Sequence, residues 1–387
     1  MKKILCYILT LCLLMSSSIC VFAQDENADT NSANENGIVD YSKSSILMCA
    51  DTGDIIYEKN AYEHVSPASV TKLMSMLLVL EAIDSGKITL EDKVTAGENA
   101  VAMGGSQIWL EVGETMTVEE LLKAVIVASA NDACTALGEY IAGSSTAFVS
   151  MMNERANSLG LENTNFENCT GLDDTATNHY SCAYDLAVIA SEVLTHELVF
   201  NYSTIWLDYL RDGETELNNT NKLVNTYTGI TGLKTGTTSK AGFCVCATAK
   251  REDMNLIAVV LGAETGDKRF ESAVNLLDFG FANYEIFVPT IDETQITNVK
   301  IKNGEEKTTK PIYSTSDKIL VKKGTGEISY EYSVSEAVNA PIKKGDELGE
   351  ILIKSGDQII KKIPLYSGKD INKISFNFVL TEMLRNI

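Results

Sequence analysis

A serine and a lysine stand three residues apart in the segment PASVTKLM, which covers residues 67–74. From Val70 onwards the apolar residues recur mostly at three- and four-residue spacing, which predicts a helix with Ser69 at its N-terminus. Residues i and i+3 share a helix face, so Lys72 could reach the Ser69 hydroxyl and activate it as a nucleophile. The alternative interpretation is that Ser69 only caps the helix and that Lys72 is solvated.

Two further polar segments could complete a site with this pair. The Ser129–Asn131 segment interrupts two apolar helical stretches, and Lys234-Thr235-Gly236 precedes two strand-like ones. Ser129 could relay a proton to a leaving amine, and Asn131 could hold a substrate amide. Lys234 could lower the pKa of Lys72 as a second cation and could bind a substrate carboxylate. Hydroxyl groups for the same carboxylate are available at Thr235, Thr237 and Thr238.

The combined pattern predicts acyl transfer by a serine. The backbone N–H groups of Ser69 and Thr237 are the candidate oxyanion hole. The chain has three histidines, His64, His179 and His196, and no G-x-S-x-G segment accompanies them, so a Ser-His-Asp triad is poorly supported. No C-x-x-C or H-E-x-x-H segment is present, and we predict neither a metal nor a cofactor.

The elements that must position these residues occur in a mixed order. A predicted β-hairpin over residues 45–57 precedes the first helix. Thr117 and Glu120 form a capping box at the start of the helix that leads to Ser129. Strands and then another helix are predicted over residues 242–281. Strands at both ends of a domain with helices between them predict an α+β arrangement.

The chain is predicted to divide into five parts. Residues 1–23 contain two lysines, an apolar run and a small-residue cleavage pattern, which are typical of a signal peptide and predict an exported protein. A disordered leader is predicted over 24–37, a catalytic domain over 38–286 and a small all-β domain over 287–369. Residues 370–387 are predicted to form an amphipathic helix, which either lies on a membrane surface or docks against the β domain.

Charge and cysteine content restrict the function further. The formal net charge of −21 argues against a nucleic-acid partner. Six of the nine cysteines lie beyond the signal peptide, and an even number in an exported protein permits disulfides. However, Cys244 and Cys246 alternate in a strand-like segment and Cys134 lies in an apolar helical one, which favours a role as small buried hydrophobic residues.

The set S-x-x-K, S-x-N and K-T-G, in this order and spacing, is typical of penicillin-binding proteins and serine β-lactamases. With segments such as GGSQIWLEVGETMTVEELLKAVIVASANDA and TGLKTGTTSKAGFCVCATAK, the sequence resembles the D-alanyl-D-alanine carboxypeptidases, which are low-molecular-mass penicillin-binding proteins. The resemblance covers residues 46–284 strongly and the β domain more weakly. It implies a β-lactamase/transpeptidase-like catalytic domain, a small β-sandwich domain and a C-terminal helix.

The resemblance also implies a reaction and its residues. Ser69 attacks the D-Ala–D-Ala bond of a peptidoglycan stem pentapeptide, with Lys72 as general base, and water hydrolyses the acyl-enzyme. The Ser129–Asn131 element lines the site, and Lys234 faces the terminal carboxylate. Arg269 matches the family arginine that helps to hold this carboxylate. β-Lactam antibiotics are implied as covalent inhibitors.

Two departures and two alternatives accompany this resemblance. The family often has a histidine within the segment 168–172 and a glycine at the position of Ala130. A class A β-lactamase would need an additional glutamate, and the candidates Glu162 and Glu167 lack an E-x-x-L-N context. A wall-binding scaffold with an inactive site is the alternative from a different class of protein.

Overall fold

The computed structural model describes residues 37–174, 176–314 and 318–385. The predicted signal peptide and residues 24–36 of the predicted leader lie outside the described residues. Within the described ranges, no helix is both long and apolar enough to cross a membrane. The chain forms a mixed α and β domain followed by an all-β domain and a terminal helix.

The first domain contains nine strands and nine α-helices among the described residues. Its strands are β1 (Ser44–Cys49), β2 (Ile55–Lys59), β3 (Lys93–Thr95), β4 (Thr115–Thr117), β5 (Leu207–Leu210), β6 (Thr215–Asn218), β7 (Ile230–Thr238), β8 (Gly242–Arg251) and β9 (Met254–Ala263). Its helices are α1 (Lys72–Asp84), α2 (Glu98–Val101), α3 (Val118–Val127), α4 (Asn131–Ala142), α5 (Ser145–Ser158), α6 (Ala183–Val193), α7 (Phe200–Ser203), α8 (Leu223–Thr226) and α9 (Gly266–Asn283).

The central sheet is antiparallel and has the strand order β2-β1-β9-β8-β7. Successive residues of a strand point to opposite faces, so both faces of this sheet can be apolar. Along β9, Ile257, Val259 and Leu261 pack into the core on the side of α1, whereas Leu256, Ala258 and Val260 pack on the side of α9. The sheet is therefore the middle layer of the domain, with α9 and Leu223 of α8 packed on one face and the core around α1 on the other.

Helix α1 runs through the larger core and is buried along most of its length. A helix that is apolar nearly all round belongs inside a protein, which is why the sequence at 72–84 carries so few charges. The predicted capping box is confirmed at the start of α3, where the Glu120 N–H donates to Thr117 Oγ1 and the Thr117 N–H donates to Glu120. All six described cysteines are free and buried, which confirms their predicted role as small hydrophobic residues.

The second domain begins at β10 (Tyr284–Phe287), three residues before the predicted boundary, because this strand pairs with β14 of that domain. The remaining strands are β11 (Val299–Lys302), β12 (Thr308–Thr309), β13 (Pro311–Ile312), β14 (Ile319–Lys322), β15 (Ile328–Val334), β16 (Ala337–Asn339), β17 (Glu347–Ser355) and β18 (Gln358–Ser367). Apart from β14, which pairs with β10, they form a three-stranded sheet, β12-β11-β16, and a four-stranded sheet, β13-β18-β17-β15.

The terminal helix α10 spans Phe376–Arg385 and is shorter than the predicted segment 370–387. Residues 370–375 belong to the β domain instead, because Ile371 pairs with Ile342 and is buried in the same small core as Val299 and Ile301. The last two residues of the predicted helix lie outside the described residues.

Candidate active site

Ser69 lies in a 3-10 turn, Ala68–Thr71, which leads directly into α1 at Lys72. The Lys72 ammonium donates to Ser69 Oγ at 3.1 Å and to the Thr170 carbonyl oxygen at 2.8 Å. Lys72 is fully buried, and neither helix start uses a side-chain cap. The alternative of a capping serine and a solvated lysine is therefore wrong, and the predicted contact between Ser69 and Lys72 is present.

The environment of Lys72 suits a proton acceptor. Burial lowers the pKa of Lys72 to about 8, against the weaker opposing effect of groups that include the Asp132 carboxylate. A general base works best when its pKa is close to the working pH, because it must be neutral and still hold the proton that it takes. With this pKa about a tenth of Lys72 is the free amine at pH 7, far more than at its ordinary pKa, and the free amine is the form that can accept a proton.

The Ser129–Asn131 element connects α3 to α4, which begins at Asn131, and two of its polar side-chain atoms have no hydrogen-bond partner in the part of the chain that the structure describes. Ser129 is buried and adopts a left-handed backbone conformation with φ 63°. Among the described residues, Ser129 Oγ and Asn131 Oδ1 are buried without a hydrogen-bond partner. Buried polar atoms in proteins are nearly always paired, so Ser129 Oγ can donate to or accept from a ligand and Asn131 Oδ1 can accept from one. Asn131 Oδ1 can accept from an amide N–H, as predicted from the sequence.

Strand β7 brings Lys234 into the same buried region. The Lys234 ammonium donates to the Thr235 carbonyl at 3.0 Å. Burial, and then the positive charges of Lys72 and Arg269, lower the pKa of Lys234 well below its ordinary value. The dominant cause of the lowered pKa of Lys72 is burial. The sequence predicts Lys234 as a second cation that also lowers this pKa, whereas the structure shows the charge of Lys72 acting on the pKa of Lys234.

The threonines of β7 have different partners. Thr235 Oγ1 donates to Thr220 Oγ1 at 2.7 Å, and Thr237 Oγ1 donates to the Gly236 carbonyl at 2.8 Å. Arg269 on α9 reaches across the sheet, where its Nη1 donates to Thr237 Oγ1 at 3.0 Å and to the Gly236 carbonyl at 3.1 Å. Arg269 thus holds the Gly236–Thr237 segment in position.

Gly236 lies directly against the backbone of the serine turn. A Cβ atom at residue 236 would stand 2.8 Å from the Ser69 nitrogen and 2.9 Å from the Pro67 carbonyl oxygen. Only glycine permits this close approach of two backbones. The peptide groups at Ser69 and at Thr237 are therefore neighbours, and such proximity is one requirement of a two-donor oxyanion hole.

Several residues that support the site do not belong to the three motifs and were not predicted from them. The Thr238 hydroxyl, predicted to bind a carboxylate, donates to Asp173 Oδ2 at 2.5 Å, and Ser66 Oγ donates to the same oxygen at 3.1 Å. Asp173 and Thr170 belong to one loop, and Asp132 follows Asn131 directly. In the sequence, only the position of these residues next to a motif or in a turn-rich segment indicates that they support the site.

None of the histidines contacts Ser69 in the described part of the chain. The Glu167 N–H donates to His179 Nδ1 at 3.0 Å, so the His179 proton is on Nε2 and points to Thr71 Oγ1 at 2.8 Å. His64 contacts Asn163 and His196 contacts Asp84. The candidate glutamates do not fit a class A β-lactamase either, because Glu162 is exposed and Glu167 accepts from the Asn178 N–H.

Known proteins share both the sequence and the fold. The family described as D-alanyl-D-alanine carboxypeptidase matches residues 30–265, and the family described as penicillin-binding protein 5, C-terminal domain matches residues 284–373. D-alanyl-D-alanine carboxypeptidase DacF of Bacillus subtilis is 40% identical over 381 residues, which are 97% of this chain and 96% of the relative. DacC of Escherichia coli is 33% identical over 87% of this chain and 85% of its own.

Solved structures agree with these relatives. Penicillin binding protein 5 from Haemophilus influenzae superimposes with a TM-score of 0.78 at 31% identity, over 86% of this chain and 98% of that one. Penicillin-binding protein D2 from Listeria monocytogenes, solved in its ampicillin-bound form, gives 0.58 at 31% identity over 63% of this chain and 98% of its own. The chain therefore belongs to the D-alanyl-D-alanine carboxypeptidase family, whose members are serine-type peptidases. The predicted family, fold class and activity are confirmed.

Proposed function

We propose that the chain removes the terminal D-alanine from peptidoglycan stem pentapeptides, with Ser69 as nucleophile and Lys72 as general base. The observation that carries these roles is the buried Lys72 ammonium at 3.1 Å from Ser69 Oγ, with a pKa lowered to about 8. In its neutral form Lys72 takes the hydroxyl proton while Ser69 Oγ bonds to the carbonyl carbon. The peptide C–N bond then breaks, D-alanine leaves as the protonated amine, and water later hydrolyses the acyl-enzyme.

The other residues supply binding and electrostatic stabilisation. The unpartnered Asn131 Oδ1 accepts from an amide N–H of the substrate, and Ser129 Oγ passes a proton to the leaving amine. The N–H groups of Ser69 and Thr237 stabilise the oxyanion. Lys234 binds the terminal carboxylate, and this counter-charge raises the pKa of Lys234 again, since an opposite charge nearby favours the charged form.

β-Lactam antibiotics are proposed to acylate the same serine. Attack by Ser69 Oγ on a lactam carbonyl breaks the ring C–N bond and leaves the drug attached as an ester. The ampicillin-bound form of the Listeria relative supports this proposal. Deacylation is expected to be slow, because Glu167 makes its hydrogen bond with the Asn178 N–H and does not contact Ser69 or Lys72.

Covalent labelling tests the residue assignment. Incubation with a penicillin should add the mass of one drug molecule to the wild-type protein, and the adduct should map to the peptide that contains Ser69. Ser69→Ala should take up no label, whereas Ser85→Ala, altered at the far end of α1, should label fully. An adduct on another residue, or a folded wild-type protein without label, would reject the proposed nucleophile and favour a scaffold with an inactive site.

We also propose that the protein is exported and that α10 contacts a membrane surface. The signal-like residues 1–23 support export.

The apolar side chains of α10 are largely exposed rather than docked against the β domain; they include Phe376 (81% exposed), Val379, Leu380, Met383 and Leu384. An amphipathic helix binds a membrane interface through such a face. Sedimentation of the chain with phosphatidylglycerol vesicles should therefore decrease for a Phe376→Glu, Leu380→Glu variant, and equal sedimentation would refute membrane contact.

A further inference from the structure

Trp109 presents its side chain to solvent from a strained backbone position. It is 74% exposed and has a φ of 58°, in the left-handed region that a bulky residue rarely adopts. An aromatic side chain of this size is normally at least partly buried, because burial of its apolar area stabilises the fold. Backbone strain at an exposed residue persists only where surrounding contacts impose it.

The contacts that impose this conformation come from both sides of Trp109. The buried Asp132 carboxylate accepts from the Ile108 N–H and the Leu110 N–H, each at 3.1 Å from Oδ2. Arg211 Nη1 donates to the Ile108 carbonyl at 2.8 Å, and Arg211 is itself held by an ion pair with Glu114 at 2.7 Å. The backbone around Trp109 is thus fixed, and the indole is held outward on a rigid support.

This support is attached to the part of the cleft that holds the substrate. The Asn131 N–H donates to the Ser106 carbonyl and Asn131 Nδ2 donates to the Gly104 carbonyl, both at 2.7 Å. Asn131 is the residue that faces the amide of the bound peptide, and Asp132 follows it. An extended peptide advances by about 3.3–3.6 Å per residue, so only a residue close to the cleaved bond, such as the one that precedes the two D-alanines, can lie over this loop.

The charge of the loop favours a cationic group. Residues 98–114 contain three glutamates, Glu98, Glu111 and Glu114, and no lysine or arginine. Glu114 is paired with Arg211, whereas Glu111, two residues after Trp109, is exposed and acts on Arg211 only from beyond ion-pair distance within the described residues. The face of an indole attracts an ammonium group, and a nearby carboxylate strengthens this attraction.

We infer that Trp109 is a specificity-determining residue for the third residue of the stem peptide, a diamino acid with a free side-chain ammonium group. The aliphatic part of that side chain packs on the indole, and its ammonium lies over the ring beside the Glu111 carboxylate. This inference rests on the proposed function, because it takes Ser69 as the point at which the peptide is anchored. It adds to that function a preference for a positively charged third residue.

The experiment compares D-alanine release from three pentapeptides that differ only in the third residue: lysine, Nε-acetyl-lysine and alanine. Wild type, Trp109→Ala and Trp109→Phe are assayed, with Tyr140→Ala as a control. Tyr140 is also an exposed aromatic residue and lies toward the other end of α4 from Asn131. For the lysine peptide, Trp109→Ala should lower kcat/KM about three- to thirtyfold, the range of an exposed to partly desolvated cation–π contact, and Trp109→Phe should retain part of the rate.

The three peptides distinguish recognition of the third residue by Trp109 from a purely structural role of Trp109. Trp109→Ala should leave the alanine peptide and penicillin acylation of Ser69 unchanged, and Glu111→Gln should reduce the preference for lysine over acetyl-lysine. Equal losses on all three peptides would overturn the inference, because they would indicate a displaced loop; no loss on the lysine peptide would overturn it as well. A wild-type protein that neither releases D-alanine nor binds penicillin would reject the proposed function, and with it this inference.

Discussion

The Thr170 carbonyl oxygen lies 2.8 Å from the Lys72 ammonium, although Thr170 follows Lys72 by 98 residues. The same ammonium is 3.1 Å from Ser69 Oγ. A loop from a distant part of the chain thus holds the lysine side chain in line with the serine. The pair is therefore a product of the tertiary structure, and helix spacing alone would not orient it.

Replacement of Lys72 by methionine should nearly abolish acylation. Methionine fills much of the same buried volume but cannot accept a proton, and a general base contributes about 10²–10⁴-fold to a rate. The second-order rate constant of penicillin acylation measures this loss. Lys240→Met, at an exposed lysine in the turn after β7, is the control and should react like wild type. A Lys72→Met protein that reacts at nearly the wild-type rate would show that another group takes the proton.

The acylation rate should rise with pH and level off above about pH 8. Burial lowers the pKa of Lys72 to about 8, and only the neutral amine can accept the Ser69 proton. Below that pH the neutral fraction falls about tenfold per pH unit, and the rate should fall with it. Stopped-flow measurement with a chromogenic cephalosporin between pH 5.5 and 9 tests this profile. A rate that is independent of pH across this range would contradict a lysine base.

His179 should make the fold sensitive to acid. Burial lowers its pKa to about 4 from 6.5. In the unfolded chain His179 is protonated as the pH falls through 6.5, whereas in the folded chain it stays neutral until about pH 4. The folded state therefore loses stability relative to the unfolded state between pH 6.5 and pH 4. The loss is about 3 kcal/mol. Urea unfolding at pH 7 and pH 4.5 should show a smaller change for His179→Gln than for wild type.

The control for this prediction is His64→Gln, because the His64 ring is exposed. An equal reduction of acid sensitivity in both variants would show that the effect does not come from His179. A catalytic role of His179 would instead appear as a loss of acylation in a stably folded His179→Gln protein.

Gly171→Ala should disrupt the serine turn. Gly171 has φ +84°, and a Cβ atom there would stand 1.8 Å from the Ala68 carbonyl oxygen, so the residue before Ser69 must move. Gly160 has a similar φ of +73° with no atom within 4 Å of its Cβ position, and it serves as a matched control. Gly160→Ala should cost about 1–2 kcal/mol of unfolding free energy from the backbone conformation alone.

Gly171→Ala should cost more than about 3 kcal/mol and should also slow acylation, as expected of severe overpacking. Thermal unfolding together with the acylation rate distinguishes the two effects. Equal stabilities of the two variants would mean that the Gly171 contact with Ala68 is not a constraint on the turn.

The site residues could be predicted from the sequence because each of the three motifs is a short local pattern. The contacts of these residues with distant parts of the chain could not be predicted from residue spacing. Gly236 and Gly171 pack against the 3-10 turn that contains Ser69, and the Thr238 hydroxyl is bound by Asp173. The alternation of apolar residues predicted the strands, since each face of the central sheet is buried.

Boundaries were less predictable for a related reason. Apolar periodicity continues through residues 370–375, but pairing of Ile371 with Ile342 recruits this segment to the β domain and delays α10 until Phe376. The role of Asp132 was equally hidden, because its carboxylate binds backbone N–H groups more than twenty residues earlier in the chain. No local pattern reports such an interaction.

Release of D-alanine from a stem pentapeptide by residues 24–387 tests the central claim most directly. Wild type and Ser85→Ala should release D-alanine at the same rate, and Ser69→Ala should release none above the uncatalysed background while keeping the wild-type unfolding midpoint. Release that persists in a folded Ser69→Ala protein would contradict Ser69 as the nucleophile.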